Sequence, residues 1–378
     1  MKEKYKEITF IWIFLFINIL FQKNLLCAEN QSLKKKINNF VENEQQFQFS
    51  GLAKFYNNIN YYIVERDNIS KVENNRPYYL SKSQWLAVVG YKNVLLIKHD
   101  KILFHLRNDS LILSDPLLMT SAISSLNTVQ KQYLDDVSPE LKKIKYNYLW
   151  APLAFLSEIV EIVLVFIFNN IFNNWGLVLI FFVFFIKVLL LPINYMAIKF
   201  QHKVDKVKME LMPKLKQIKA NYDGENAHNR IIAAYKELGV SPFFELKPMF
   251  GLIIQIPILI AIFNALGVMS QFQGISFLWI KDLSYPDTII DLPFSIYLLG
   301  DGINLFPFIM AIISVYSGVI FQNKYILHQE LKKKKRRLYF TAFAFFILFY
   351  PFPAVIVMYW TLSNILELIQ KRYIKFDA

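Results

Sequence analysis

The sequence has little of the chemistry on which most enzymes and metal proteins depend. Its 378 residues include one cysteine, Cys27, and five histidines that are scattered along the chain without a pair at helical ligand spacing. A single cysteine excludes a disulfide framework and a cysteine-based zinc site. The sequence also has no phosphate-binding loop and no nucleophile elbow. We therefore expect no cofactor, no bound metal and no enzymatic activity.

Apolar and aromatic residues are in excess. Hydrophobic residues make up 55% of the chain and aromatic residues 16%, with 35 phenylalanines, against a usual apolar share of about 45–50%. They form long blocks, which is typical of a polytopic membrane protein and not of a soluble core. The net charge is +13, and the basic residues lie in loops beside the apolar blocks. This pattern favours cytoplasmic membrane flanks over nucleic-acid binding.

The apolar stretch 175–198 organises the rest of the chain. It is long enough to cross a bilayer as a helix, which takes about 20 residues, and its one charge, Lys187, lies near its middle. A central lysine costs roughly 2.5 to 3.5 kcal/mol on insertion scales. Snorkelling to the surface explains it poorly, because the charge is far from both ends. We expect Lys187 to lie in a functional polar groove, where water, a partner or a neutralised amine offsets that cost.

The first 28 residues carry the features of an export signal. Lys2, Lys4 and Lys6 precede the apolar run 8–21, and Leu-Cys-Ala follows at 26–28. Residues 1–28 are therefore either a cleaved signal peptide or an uncleaved N-terminal anchor, since Leu26 is larger than the small residue usual three positions before a cut. Both possibilities export the segment that follows.

Residues 29–150 are polar and rich in Asn, Lys and Tyr, with short β-like runs separated by Asn, Asp and Gly. They predict a small, mostly β extracytoplasmic domain that ends in a linker. The composition names no ligand, so a spacer or chaperone-docking role is favoured over ligand binding. Residues 151–173 are apolar but hold two Glu and two Asn. We expect them to form an amphipathic helix in the outer interface, because a crossing here would reverse the orientation of every later segment.

The rest of the chain alternates apolar spans with basic connections. The predicted spans cover about 175–198, 248–270, 305–321, 339–350 and 354–369. The charged insert 199–247 has apolar residues at helical spacing and predicts an antiparallel helical hairpin with its turn at Asp223-Gly224. Its apolar stripe either packs within the hairpin or offers a docking surface. The basic run 332–337, in a predicted loop, falls on the same side as the hairpin and the C-terminus, which makes that side cytoplasmic. The last two spans are short for a core of about 30 Å, which implies local thinning of the membrane.

From about Asn174 to Ile374, several motifs in order resemble the YidC/Oxa/Alb membrane protein insertases. Asn174-Trp175-Gly176 resembles the start of the family's first core helix, and Lys187 and Pro192 stand where the family has its groove arginine and proline. The other similar motifs are 211–216 and 235–242 in the hairpin, Gln255 to Ile258, Phe277 to Ser284, Phe352 to Trp360, and Asn364 to Gln370. Two positions depart from the pattern: Lys187 replaces the arginine, and 241–244 replaces the usual Asn-Pro-Leu-Gly. Arginine stays charged in either environment, whereas a lysine keeps its charge in a wet groove and can lose it in a dry one.

The resemblance implies a mainly α polytopic protein with a five-helix insertase core over residues 174–378. It also implies a cytoplasmic helical hairpin in that core and a small, mostly β periplasmic domain before it. The expected location is the bacterial inner membrane, with the C-terminus in the cytoplasm. The core would hold a hydrophilic groove that is open to cytoplasm and lipid. The expected groove residues are Lys187, Gln255, Tyr359, Ser363 and Asn364.

The function implied by the resemblance is insertion of nascent membrane proteins, whose short hydrophilic tails would pass through the groove. Membrane lipids, the Sec translocon and the ribosome are the further expected partners, the ribosome through the basic hairpin and loops. One alternative is a secondary transporter or channel that uses Lys187 as an ion site, although the sequence shows no inverted repeat. Another is a membrane-anchored binding protein whose activity resides in residues 29–150.

Overall fold

The computed structural model describes residues 31, 33–45, 49–66, 68–99, 102–108, 110–113, 123–241, 243–247, 249–320 and 328–373. The predicted signal peptide or anchor at 1–28 lies outside these residues. The chain divides into two compact units. The N-terminal unit covers residues up to Tyr148 together with Val268–Gln271, and the core unit covers Leu149–Gly267 and the chain from Phe272 onward.

The N-terminal unit is rich in β-structure. Its strands are β1 (Asn60–Glu65), β2 (Asn68–Lys71), β3 (Pro77–Leu80), β4 (Trp85–Val89), β5 (Asn93–His99), β6 (Ile102–Arg107), β7 (Ser110–Leu113) and β8 (Ile123–Gln130). They form a five-stranded antiparallel sheet in the order β2-β1-β4-β5-β8 and a three-stranded antiparallel sheet in the order β3-β6-β7. Short helical segments accompany them: helix α1 at 33–45, helix α2 (Leu134–Val137), and 3-10 turns at Gly51–Asn57, Lys131–Tyr133 and Pro139–Tyr146.

Strand β4 is buried on both faces of the larger sheet. Leu86 and Val88 belong to one apolar cluster, which includes residues of α1 and the second sheet. Trp85, Ala87 and Val89 belong to a second cluster, which includes residues of α2 and the turn after it. A strand that is covered on both faces has an unbroken apolar sequence, which explains the run Trp85–Val89. The sequence analysis did not predict α1, because its three core residues are spaced among lysines and asparagines.

The β4–β5 turn of this unit collects buried charges. Glu44 is 3% exposed, and its carboxylate accepts hydrogen bonds from the backbone N–H of Tyr91 (2.6 Å) and from Nδ2 of Asn93 (2.6 Å). Lys131 is also buried, and its Nζ donates to the carbonyl oxygen of Tyr91 at 2.8 Å. Burial lowers the pKa of Lys131 to about 8, against the charge of Glu44, which raises it. Backbone atoms of Tyr91 contact both Glu44 and Lys131, and the side chain of Asn93 adds a second hydrogen bond to Glu44.

Lys92, in the same turn, is fully buried. Its Nζ donates to the carbonyl oxygen of Met269 at 2.7 Å, within the segment Val268–Gln271 of the same unit. The ammonium also lies 4.4 Å from the centroid of the Tyr91 ring. A buried cation with a carbonyl acceptor and an aromatic face is compensated on two sides.

The core unit is helical. Its helices are α3 (Ala151–Asn170), α4 (Trp175–Asn221), α5 (Gly224–Glu237), α6 (Met249–Val268, whose last residue is counted with the other unit), α7 (Leu305–Ile320), α8 (His328–Phe349) and α9 (Ala354–Tyr373). Among the described helices, α3 and α4 are long and apolar enough to cross a membrane, and shorter apolar stretches lie at Ile253–Val268, Leu305–Val319 and Ala354–Gln370. The mainly α fold class with a β-rich N-terminal part is thereby confirmed. The five-helix arrangement stays a prediction.

The predicted break at residue 198 does not occur, because α4 continues for 47 residues through Pro192 and Pro213 to Asn221. The first span and the first hairpin helix are therefore one helix. No glycine or turn sequence interrupts the helical periodicity where the apolar stretch gives way to the charged one, so the backbone has no reason to leave the helix. The hairpin turn lies at residues 222–223, and α5 begins at Gly224, whose φ of +60° favours glycine.

Two further connections differ from the sequence prediction. The basic run 332–337, predicted as a loop, lies inside α8, since Lys and Arg are good helix formers. The connection between the predicted spans 248–270 and 305–321, for which no strands were predicted, contains an antiparallel hairpin of β9 (Thr288–Ile296) and β10 (Gly300–Asn304). Both elements lie where charge or irregular apolar spacing hid the periodicity.

Helix α3 is less amphipathic than expected. Val160, Leu164 and Ile167 are buried on one side, while Phe155 and Ile162 are exposed on the other. Apolar residues all round the axis are typical of helices that lie within a membrane or a core. The placement of residues 151–173 in the outer interface stays a prediction.

Candidate functional site

Lys187 lies in α4 opposite an acidic residue of α9. Its Nζ is 3.8 Å from Oε2 of Glu367. The Lys187 side chain is 18% exposed and that of Glu367 is 45% exposed. We expected water, a partner or a neutralised amine to offset the cost of this charge. The structure provides a partner within the chain.

Asn194 extends the polar contacts along α4 towards α6. It follows Lys187 by seven residues, which is two turns and places both on one face, about 10 Å apart along the axis. Its Oδ1 accepts a hydrogen bond from Nε2 of Gln255. Gly251, one turn before Gln255, allows the close approach, because a Cβ there would lie 2.8 Å from Cβ of Ala197.

Asn364 extends the contacts from α9 to α7. Its Nδ2 donates to Oγ of Ser314 at 2.9 Å, and that hydroxyl donates to the carbonyl oxygen of Met310 at 2.8 Å. Asn364 precedes Glu367 by three residues, so the two side chains share a face of α9. We call the six residues that make these three bridges the polar line: Ser314, Asn364, Glu367, Lys187, Asn194 and Gln255.

The polar line crosses α7, α9, α4 and α6 in turn, between segments that are otherwise apolar. Amide, hydroxyl and ion-pair groups inside such a region lower the cost of bringing water or another polar chain among the helices. Its groups bind and orient by charge and hydrogen bonding. Within the described part of the chain, no cluster of three His, Cys, Asp or Glu could hold a metal ion.

Capping interactions fix the ends of the helices that carry these residues. At the start of α4, Oδ1 of Asn174 accepts from the backbone N–H groups of Gly176 (3.0 Å) and Leu177 (3.2 Å). At the start of α7, the carboxylate of Asp287 accepts from the backbone N–H of Phe306 at 2.6 Å. Burial raises the pKa of Asp287 to about 6, while the hydrogen bonds it accepts oppose that rise.

The structure brings together three of the five predicted groove residues. Lys187, Gln255 and Asn364 belong to the polar line, and Ser363 is half-buried beside Asn364. Tyr359 is 7% exposed, in the buried first half of α9, and lies outside this set.

The sequence analysis missed Glu367, Asn194 and Ser314. A usable signal was present for Glu367, since it is the one charged residue between Ala354 and Gln370. An acid in one apolar segment and a base in another form a natural pair. Asn194 and Ser314 carried a weaker signal as polar residues inside apolar stretches.

Comparison with known proteins gives a family match. The model of the 60Kd inner membrane protein family matches residues 167–377. "Membrane protein insertase YidC" of Chloroherpeton thalassium is 30% identical over 239 residues, which are 62% of this chain and 39% of the relative. The protein of the same name from Prosthecochloris aestuarii is 30% identical over 249 residues, which are 65% of this chain and 40% of the relative. The match thus spans about two fifths of the length of these relatives.

A solved structure is also similar, "Active YidC insertase crystal structure with the first transmembrane domain resolved". It is 17% identical, with a TM-score of 0.41 and coverage of 81% of this chain and 66% of that chain. The family match rests on the sequence and covers more than half of the chain, including every residue of the polar line. The chain belongs to the 60Kd inner membrane protein family, which confirms its resemblance to the YidC/Oxa/Alb insertases.

Proposed function

We propose that this protein is a membrane protein insertase. It moves the short hydrophilic tails of nascent membrane proteins through a hydrated intramembrane groove and releases their apolar segments into lipid. The observation that carries the proposal is the polar line, a set of charged and hydrogen-bonding side chains between apolar helices. Its residues lie in the part of the chain that matches the 60Kd inner membrane protein family, and relatives of the chain are named as insertases.

The physical basis is the cost of polar backbone in hydrocarbon. Each unsatisfied backbone group in the bilayer core costs several kcal/mol, so a hydrophilic tail does not cross unaided. A groove with polar walls brings water partway into the membrane and lowers that cost. The apolar segment that follows the tail then leaves for lipid, and its hydrophobic transfer supplies the driving force.

We assign roles to the groove residues on this basis. Lys187 attracts acidic residues of the tail, and Gln255, Ser363 and Asn364 offer it hydrogen bonds. Tyr359, which is buried near the first residue of α9, contributes to the closed outer end of the groove. These roles require no covalent chemistry and no nucleotide.

The proposed arrangement in the bacterial inner membrane follows the positive-inside rule. The spans would be the apolar parts of α4, α6, α7, α8 and α9, with the β-rich unit in the periplasm. We place four segments in the cytoplasm: α4 after residue 198, α5, the basic run in α8, and the C-terminus. Their basic surface would meet the polyanionic ribosome. The Sec translocon and lipids are the other proposed partners.

The test is insertion by purified full-length protein in liposomes, without translocon or nucleotide. The client, meaning the protein to be inserted, is a single-span protein with a short translocated tail that is scored by protease protection. We expect more protected tail than with empty liposomes. No protection by a correctly folded protein would overturn autonomous insertion, and gradient-driven ion uptake in the same vesicles would favour the transporter alternative.

The role of Lys187 has its own test, in which Lys187→Glu is compared on clients with acidic and neutral tails. We expect insertion of the acidic-tailed client to fall about tenfold more than that of the neutral client. The reason is that the substitution replaces a charge that attracts the acidic tail with one that repels it. Lys281→Glu makes the same charge change at an exposed outer-loop position and should affect neither client. Equal losses for both clients would show that Lys187 does not act by its charge.

A further inference from the structure

The ion pair between Lys187 and Glu367 places an acid of the chain's own where the proposed function needs the acid of a client. We propose that Glu367 is the resident counter-ion of Lys187, that a client carboxylate displaces it, and that this competition sets which tails the groove accepts. The inference deepens the proposed function and rests on it.

The two charged groups lie farther apart than hydrogen-bonded partners do. The separation of 3.8 Å between Nζ of Lys187 and Oε2 of Glu367 exceeds the roughly 2.7–2.9 Å of a charge-assisted hydrogen bond. For comparison, Nζ of Lys214 and Oε1 of Glu237 are 2.9 Å apart in the hairpin. Nζ of Lys187 and Oε2 of Glu367 are thus farther apart than a direct hydrogen bond requires. A client carboxylate can therefore approach the amine more closely than Glu367 does.

The two partners also differ in exposure. The amine side chain is 18% exposed, while the carboxylate side chain is 45% exposed. Glu367 is thus the more exposed partner, so its carboxylate can turn to solvent when a client carboxylate takes its place beside Lys187. Lys187 stays enclosed between helices and receives whichever carboxylate is present.

Both charged groups lie at a similar depth in the proposed spans. Lys187 follows the first residue of α4 by 12 residues, and Glu367 follows the first residue of α9 by 13. In the proposed topology both helices run inward from the outer side, so both groups lie roughly 20 Å from that side. Each charge is therefore deep in apolar sequence, and neutralisation by a close partner lowers the cost of both.

Competition has a defined consequence for specificity. The apparent affinity of Lys187 for a client carboxylate is the intrinsic affinity reduced by the fraction of time that Glu367 leaves the amine accessible. Removal of the Glu367 charge should therefore favour acidic tails and leave neutral tails unchanged. Glu367 raises the affinity that a client carboxylate needs in order to bind Lys187, so only tails with a well-placed carboxylate benefit from Lys187.

The first experiment reads the pair directly in full-length protein in liposomes, through zero-length cross-linking with a membrane-permeant carbodiimide and mass spectrometry. We expect a Lys187–Glu367 amide link without client. A peptide with an Asp-containing tail should reduce that link and form a new one between Lys187 and its Asp. The matched peptide with Asn should do neither. Absence of the internal link, or an internal link that the acidic peptide leaves undiminished, would overturn the inference.

The second experiment measures the ratio of acidic-tail to neutral-tail insertion. Glu367→Gln should raise that ratio about fivefold, because the competitor is gone. The matched control is Glu73→Gln, since Glu73 and Arg76 form an exposed pair at 3.6 Å in the other unit, and it should leave the ratio unchanged. The charge-swapped double variant Lys187→Glu with Glu367→Lys keeps a neutral pair and provides a second folded background, in which basic tails should be favoured over acidic ones.

An unchanged or lower ratio for Glu367→Gln, with wild-type protein inserting both clients, would contradict the counter-ion role and leave the insertase proposal intact. Absence of insertion by the wild type would instead contradict the proposed function. The cross-linking result still reports the pair in that case, so the two failures are distinguishable.

Discussion

The two units of this chain each enclose lysines, and they do so with opposite kinds of acceptor. In the N-terminal unit, Lys131 and Lys92 donate at 2.8 and 2.7 Å to backbone carbonyls of Tyr91 and Met269. In the core, Lys187 lies 3.8 Å from a carboxylate on a different helix. A backbone carbonyl in a packed turn cannot leave its donor, whereas a side chain can change rotamer. The first arrangement fixes a fold, and the second leaves a charge available for exchange.

The two units also differ in the groups that surround their enclosed lysines. Burial depresses the pKa of Lys131, and the charge of Glu44 offsets only part of that fall. In the core, the partner of Lys187 is instead a carboxylate side chain, which can change rotamer. The next three predictions test this contrast through folding, beginning with the largest expected effect.

Lys92→Ala should destabilise the N-terminal unit by about 3–5 kcal/mol, because it leaves a cavity at a fully buried position and removes the donor to Met269. Hydrogen exchange of backbone amides at 85–99, measured in the full-length protein, should rise accordingly. Lys187→Ala is the matched change in the core and should cost less, because the partner that it leaves behind is 45% exposed and can turn to solvent. Similar losses for both lysines would remove the distinction between fixed and exchangeable charges.

Lys131 should make the stability of the N-terminal unit depend on pH. Its pKa is about 8 in the folded protein and 10.5 as the ordinary value, so between these values the unfolded chain binds more protons. The free energy of unfolding therefore rises as the pH rises from about 8 to about 10.5, by roughly 3 kcal/mol in total. This contribution is lost as the pH falls through 8. Lys131→Met should remove that rise, and parallel pH profiles for variant and wild type would contradict the assignment.

The smallest expected effect concerns the exposed ion pairs. Lys214 and Glu237 are 2.9 Å apart with side chains 46% and 64% exposed, and such pairs contribute about 0–1 kcal/mol. Glu237→Gln and Glu73→Gln should each change the free energy of unfolding by less than about 0.5 kcal/mol. Urea or thermal unfolding of the full-length protein measures this. A loss of several kcal/mol would mean that these pairs belong with the fixed charges of the β4–β5 turn.

Sequence patterns predicted both the β-rich N-terminal part and the mainly helical core, but they singled out an enclosed lysine only in the core. Lys187 stood out because a charge inside about 20 apolar residues has few explanations. Lys92 and Lys131 did not stand out, since lysines in a polar β-rich segment usually face solvent. The helix at 33–45 was missed for the same reason. Its buried residues Leu33, Ile37 and Phe40 are outnumbered by charged and amide neighbours.

The polar line shows where sequence reasoning ended. Gln255 and Asn364 were chosen as polar residues in apolar segments, while Asn194 and Ser314, which hydrogen-bond to them, were not. Partners on different helices are separated by 50 to 61 residues in these two bridges. No local periodicity encodes which side chains will meet at such distances along the chain.

The sequence by itself determined that this is a membrane protein, that its charges lie beside its apolar blocks, and that Lys187 needs compensation. These conclusions depend on composition and on the energetics of single residues in lipid or water, which are local properties. Only the tertiary structure decided which group accepts from or pairs with each lysine: a backbone carbonyl for Lys92 and Lys131, and the carboxylate of Glu367 for Lys187. That choice depends on which atoms packing brings within a few ångströms of each amine. Those atoms belong to residues that are far apart in the chain, so no local pattern identifies them.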